Sequence, residues 1–407
     1  MLDQSLSYRL KYAFVFKNNK SLLVIALIAV VNALGYGIII PILYSYSKRF
    51  GLSDLGNGLL FSLFSLCQFL STPVIGRFSD MYGRKPLLVI SLIGTVVSFV
   101  IMAFAPSAIF LFIARALDGL TAGNIPVATA VISDTTKPED RAKGFGLIGA
   151  AFGIGFVAGP AISALTVGIN PSLPFIIAAA VTAISVVITW IYLPETNKHM
   201  GQVANTKLFD FPKLAKAVMD ENVGKTLLVS LIYSLSFGLL IYAYQPFSVK
   251  ILGLTSSQVA LNFTIFGIVG FIAQALIIPR VSKRVEDKKL LLNSLIMSAI
   301  TFFALYLTKS YAVFILVSIF LSLSNAFVNP LIQSLLSKET DEKSQGEIQG
   351  VNASYMSIGL IFGPILGGIL ATISIPMPYL GGSVFALICI VLSYQIFKKP
   401  AKVVSLE

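Results

Sequence analysis

Apolar runs of about twenty residues recur along the whole chain, each closed by a short polar stretch. Twelve such runs lie at 21–45, 57–76, 86–105, 108–132, 144–167, 172–193, 225–246, 258–279, 289–308, 310–335, 347–372 and 378–397. A helix of roughly 20 apolar residues crosses the hydrocarbon core of a bilayer. Only helices and closed barrels satisfy their backbone in lipid, and the pattern lacks the short alternating strands of a barrel. It predicts an all-α integral membrane protein with twelve transmembrane helices. The one long polar segment divides them six and six. The expected domains are a six-helix bundle over 1–195, a linker over 196–223 and a second six-helix bundle over 224–407.

Composition sharpens this. The 407 residues are 56% hydrophobic and 12% charged, with a mean hydropathy of +0.86, against about 25% charged in soluble domains. Of the 30 Lys and Arg residues, 25 fall in segments on the side of the termini, four on the opposite side (Lys48, Arg49, Lys250 and Lys309), and Arg115 lies inside a run. Basic residues stay on the cytoplasmic side, so both termini are expected in the cytoplasm and the chain in the plasma (inner) membrane. The net charge of +12 then records topology beside anionic membrane lipids. Its scatter over many loops argues against nucleic acid as a partner. The first run is too long for a cleaved signal peptide, and the aromatic and basic stretch before it suits an interfacial helix.

Cys67 and Cys389 sit in apolar runs and read as small buried hydrophobes, and His199 reads as solvated. No metal spacing, Walker loop or nucleophile–base pairing occurs. No cofactor is expected, and uphill transport would draw on an ion gradient, with protons as the coupled species. A receptor or scaffold would need a signalling domain that the chain does not carry, and an enzyme reading has no support. The chain is read as a monomer that handles a small-molecule substrate.

The halves repeat. Shifted by 203 positions, "GRFSDMYGRKPLL" (76–88) falls on "PRVSKRVEDKKLL" (279–291). Shifted by 204, Pro126 falls on Pro330, and Gly155, Gly159 and Pro160 fall on Gly359, Gly363 and Pro364. Parallel six-span repeats point to a transporter whose pseudo-symmetric halves rock about a central site.

The stretch "GRFSDMYGRK" resembles the loop motif between the second and third spans of the major facilitator superfamily. "ARALDGLTAGN" (114–124) resembles its fourth-span motif, "GIGFVAGP" (153–160) its antiporter-associated fifth-span motif, and "PET" (194–196) its usual close to the sixth span. Together they resemble the drug:proton antiporter branch, near the tetracycline-efflux group. Met81 stands where the family often has a basic residue, and Ser163 and Ala164 replace a glycine pair. Asn32 stands where related pumps often have an acid, which weakens the expectation of a first-span proton carrier.

The resemblance implies a cytoplasmic gate of Gly76, Asp80, Gly83, Arg84, Lys85 and Arg141, with Asp80 engaging a helix N-terminus of the other half, where an anion is stabilised. The residues alone also allow a purely topogenic loop. Gly155 and Gly159 lie one turn apart and permit close helix approach, while Pro160 bends its helix. Gly359, Gly363 and Pro364 repeat the device, for gating or for tight packing alone. Arg115 and Asp118 are three residues apart on one helix face. Charges at membrane depth are costly and face the bundle interior. Burial opposes the carboxylate and the guanidinium favours it, so the pair is either a proton-coupling site or a permanent ion pair. Asn32, Tyr36, Gln68, Asn124, Tyr233, Gln245, Asn325 and Asn329 sketch a substrate cavity, or serve as hydrogen bonds between helices. The leading expectation is a proton-coupled exporter of small lipophilic or amphipathic compounds working by alternating access. The alternatives are a metabolite importer or facilitator, or a flippase for lipid-linked substrates.

Overall fold

A computed structural model describes residues 20–137, 140–198, 200–201, 211–341 and 344–397. The stretch before Lys20 and His199 lie outside them. Spans one to twelve are Lys20–Ile39, Asp54–Tyr82, Arg84–Ala103, Ala108–Thr135, Lys143–Thr166, Leu173–Tyr192, Gly224–Lys250, Ser256–Val281, Asp287–Leu307, Tyr311–Lys338, Gln345–Ile373 and Met377–Ile396. The face holding the ends of spans two, four and six carries the basic loops and is called the basic face below.

Four details depart from uniform spans. Span one stops before Pro41, which has no N–H to continue the ladder, and a short helix follows at Leu43–Lys48. Span two runs through the motif as far as Tyr82, so the expected polar loop shrinks to one residue, Gly83, at φ +104°. Span four breaks into Ala108–Thr121 and Asn124–Thr135. Pro126 cannot donate to the Ala122 carbonyl, and Gly123 adds little helical preference of its own. Span eight contains a π-helical turn at Ala273–Ile277 just before Pro279, which again deletes a donor. The linker itself carries a short helix at Phe211–Met219.

Packing groups the described residues into two units. One holds residues up to Ile40 and those from Cys67 into the linker. The other holds Pro41–Leu66 and the residues from the linker helix onward. The segment Pro41–Leu66, expected in the first bundle from sequence order, therefore packs with spans seven to twelve. Polar contacts hold it there. The Tyr44 N–H donates to Gln245 Oε1 at 2.6 Å and Gln245 Nε2 donates to Ser45 Oγ at 2.9 Å. Asp54 pairs with Lys48 at 2.9 Å and Lys250 at 3.0 Å, and Tyr44 donates to it at 2.8 Å.

Inside the first unit, span one lies along span five. A Cβ on Gly155 would sit 2.5 Å from the Ala33 Cβ, and one on Gly159 would sit 2.5 Å from the Leu34 carbonyl oxygen. Pro160 rests against Gly37. The second unit repeats this between spans seven and eleven: Gly359 lies on Ser234, and Gly363 meets Gly238. Pro364 closes on Gly238 and on Gly58 of span two.

Candidate functional site

The break in span four sets the site. Above it, Arg115 and Asp118 point inward and are buried, with Nη1 3.3 Å from Oδ2. Thr95 of span three lies close to the Asp118 carboxylate. Tyr36 of span one donates to Gln68 of span two at 3.1 Å, and its hydroxyl lies within electrostatic reach of both charges. Four spans of one unit thus converge on one buried ion pair. Tyr36 and Gln68 are half-buried, so they border accessible space, whereas the pair behind them does not.

At the break, Asn124 donates to Asn32 Oδ1 at 3.0 Å, and Asn32 donates to the Ile28 carbonyl at 2.9 Å. The two asparagines therefore tie span one to the kink. The Asn124 side-chain oxygen, Oδ1, is buried and unpaired among the described residues. In the second unit, Tyr233 donates to Asn325, joining spans seven and ten. Ser230 donates to Asn352 at 2.6 Å. Asn329 is half-buried beside Pro330. Gln245 is spent on holding the Pro41–Leu66 segment.

The motif residues of the basic face form a second cluster within the first unit. Arg84 pairs with Asp80 at 2.5 Å and with Asp134 at 3.2 Å, and donates to Ser79 Oγ at 2.6 Å. Lys85 lies 5.4 Å from the Trp190 ring centroid. Arg141 donates to the Ser133 carbonyl at 3.3 Å, away from Asp80. A Cβ on Gly76 would meet nothing within 4 Å, so no neighbour in this structure requires glycine there.

Sequence reasoning quoted Glu195 in "PET" but gave it no role. Its carboxylate accepts from the N–H of Arg84 at 2.9 Å and of Lys85 at 3.1 Å, capping span three. It also crowds the place where a Gly83 side chain would be. The available signal was span three itself, which begins after a glycine and so lacks a cap of its own.

A polytopic helical membrane protein with six spans repeated in each half and an ion pair buried in one span has the build of a secondary transporter. The Major Facilitator Superfamily model matches residues 25–223 and 226–406, and the chain belongs to that family. It is 30% identical over 394 residues to Multidrug resistance protein 1 of Bacillus subtilis (strain 168), covering 95% of this chain and 98% of that protein. It is 28% identical over 368 residues to the class H tetracycline resistance protein of Pasteurella multocida, covering 86% and 88%. The fold matches the crystal structure of a bacterial homolog to the human lysosomal transporter Spinster, with TM-score 0.76, 17% identity and coverage of 92% and 96%.

Proposed function

We propose that this transporter exports small lipophilic or amphipathic compounds in exchange for protons, as a monomer in the plasma (inner) membrane with both termini in the cytoplasm. The observation that carries the coupling is the buried Arg115–Asp118 pair beside Tyr36 and Gln68. The names of the tetracycline and multidrug resistance relatives support the substrate class. Asp118 and Arg115 are the charges that lie inside a span away from its ends. An ionised Asp118 holds the guanidinium, and a protonated one releases it toward the half-buried Tyr36–Gln68 edge. The proton on Asp118 and the position of Arg115 are then linked. A substrate that favours one position biases the other, and coupling needs that differential preference.

The test is transport by purified protein in proteoliposomes, with tetracycline and a lipophilic cationic dye as probes. Asp118→Asn keeps shape and removes titration. It should abolish pH-driven accumulation of either probe while leaving downhill counterflow. Accumulation with an unchanged pH profile in Asp118→Asn would sink this assignment.

A further inference from the structure

The second unit carries a lateral groove of about 380 Å³ between spans nine and ten, a volume in the range of small-ligand sites. Asn293, Ile296, Ile300 and Ala304 line it from span nine, and Leu316 and Phe320 from span ten. Ile300 is 63% and Leu316 56% exposed. These side chains lie on the outer face of a unit whose spans are sized for lipid.

The sequence of chemistry along span nine identifies the occupant. Positions 289, 293, 296, 300 and 304 share one helix face. At about 1.5 Å per residue, Lys289 sits roughly 6 Å below Asn293. From Asn293 to Ala304 the groove runs about 16 Å, close to half of a hydrocarbon core about 30 Å thick. The stripe thus reads cation, amide, then aliphatic wall. Asn293 is an exposed amide with no hydrogen bond among the described residues, at a depth where a helix face normally meets lipid. The segment Arg280–Lys289 contains five basic residues against two acids, Glu286 and Asp287. Asp287 is engaged by Lys338 at 2.6 Å. Lys289 has one contact at 3.3 Å with Glu286, and both groups are well exposed, so the pairing is weak.

We propose that this groove binds an anionic phospholipid from the leaflet that meets the start of span nine, with its phosphate on Lys289, its ester region at Asn293 and one acyl chain along Ile296, Ile300 and Phe320. A basic side chain at the membrane surface attracts an anionic headgroup, and the groove gives the chain a fixed wall in place of mobile neighbours.

The test uses the purified full-length protein in nanodiscs with phosphatidylglycerol carrying a diazirine in one acyl chain, against the matching phosphatidylethanolamine probe. Adducts are mapped by peptide mass spectrometry. Wild type should carry phosphatidylglycerol adducts on Ile296–Ala304 in about fivefold excess over phosphatidylethanolamine. Lys289→Gln should remove that excess and leave the phosphatidylethanolamine adducts. Ile300→Trp should lose adducts from both probes, and Leu316→Trp fills the groove from the other wall should the first variant fail to fold. Lys309→Gln, near the opposite face, should change nothing. An undiminished excess in Lys289→Gln, full labelling in both tryptophan variants, or loss in Lys309→Gln instead would each overturn the assignment.

Discussion

Replacing Glu195 with alanine should loosen the start of span three. A helix leaves its first four N–H groups without partners inside the helix. Span three starts at Arg84 directly after Gly83, with no side-chain cap from its own segment. Pro86, the third residue, has no N–H to offer, and Glu195 accepts from the first two donors, those of Arg84 and Lys85, while its Oε1 also takes the N–H of Thr196 at 2.9 Å and Asn197 at 2.8 Å. A lost cap costs about 1 kcal/mol, and an anion at the positive end of a helix contributes about 0.3–1 kcal/mol more. The group is exposed, so the lower part of the second range applies, and the sum is about 1.5 kcal/mol. That corresponds to about tenfold faster hydrogen exchange at the Arg84 and Lys85 amides. Glu195→Gln keeps an acceptor but loses the charge, and should fall between the two. Exchange mass spectrometry on peptides over 83–90 reads this directly, with the start of span nine as an internal reference. Unchanged exchange in folded Glu195→Ala would refute the capping role.

Other perturbations follow from the same geometry. Gly159→Leu should lower the thermal midpoint of the purified protein, by a free energy of about 1–3 kcal/mol, because the Leu34 carbonyl and Gly37 backbone occupy the space; Gly76→Ala, inside span two with nothing near its Cβ, should hold or raise the midpoint, since alanine favours a helix interior by up to about 1 kcal/mol, and a loss in both would contradict the packing described. Asp54→Asn removes the negative charge shared by Lys48, Lys250 and Tyr44, and one of the two acceptor oxygens. With both lysines partly exposed, the expected loss is about 1–2 kcal/mol, read as faster exchange within 41–66; 1 M salt should mimic part of it, and insensitivity to both would remove the anchor. Pro126→Ala returns a donor to the Ala122 carbonyl and should raise the thermal midpoint while slowing transport. A variant with wild-type transport would make the kink incidental.

How much of this was legible in the sequence depends on the range of the signal. The spans were, because lipid demands about twenty apolar residues at each crossing whatever the neighbours do. Arg115 and Asp118 were, since two charges three positions apart in an apolar run can share only an interior face. The close approaches at Gly155 and Gly159 were visible as spacing, though their partner, span one, was not. The link between spans two and three was legible as a polar loop, but the helix continuing through Asp80 to Tyr82 was not, because "RFSDMY" has the composition of a loop, while Arg84 bridges Asp80 and Asp134 across its end. Glu195 acts on residues more than a hundred positions away. Gln245 is a polar residue in an apolar span, which suggests a cavity, yet it binds backbone and hydroxyl of the segment after Pro41. Local pattern reports what a residue needs, and only packing reports what supplies it.

The repeat separates what the fold requires from what the chemistry requires. In the register that places Pro126 on Pro330, Gly155 falls on Gly359, Gly159 on Gly363 and Pro160 on Pro364. Both copies make the same kind of contact, a glycine pair pressed on the span that opens its half. The same register places Arg115 on Ile319 and Asp118 on Ser322. In span ten, Ser322 donates to the Phe266 carbonyl at 2.6 Å and takes no part in an ion pair. Asn32 likewise falls on Ser236, which donates to the Gly382 carbonyl at 3.0 Å. Where the second half keeps a polar residue at these places, it uses that residue to bond helix to helix. A structural need common to both halves would preserve the pair in both, as it preserves the glycines. The costly buried charges are retained in one half alone, and within that half they sit beside the broken stretch of span four. One buried pair in one half, next to a kink tied to span one through Asn32 and Asn124, is the arrangement that the proposed coupling of a single proton site to the movement of a helix calls for.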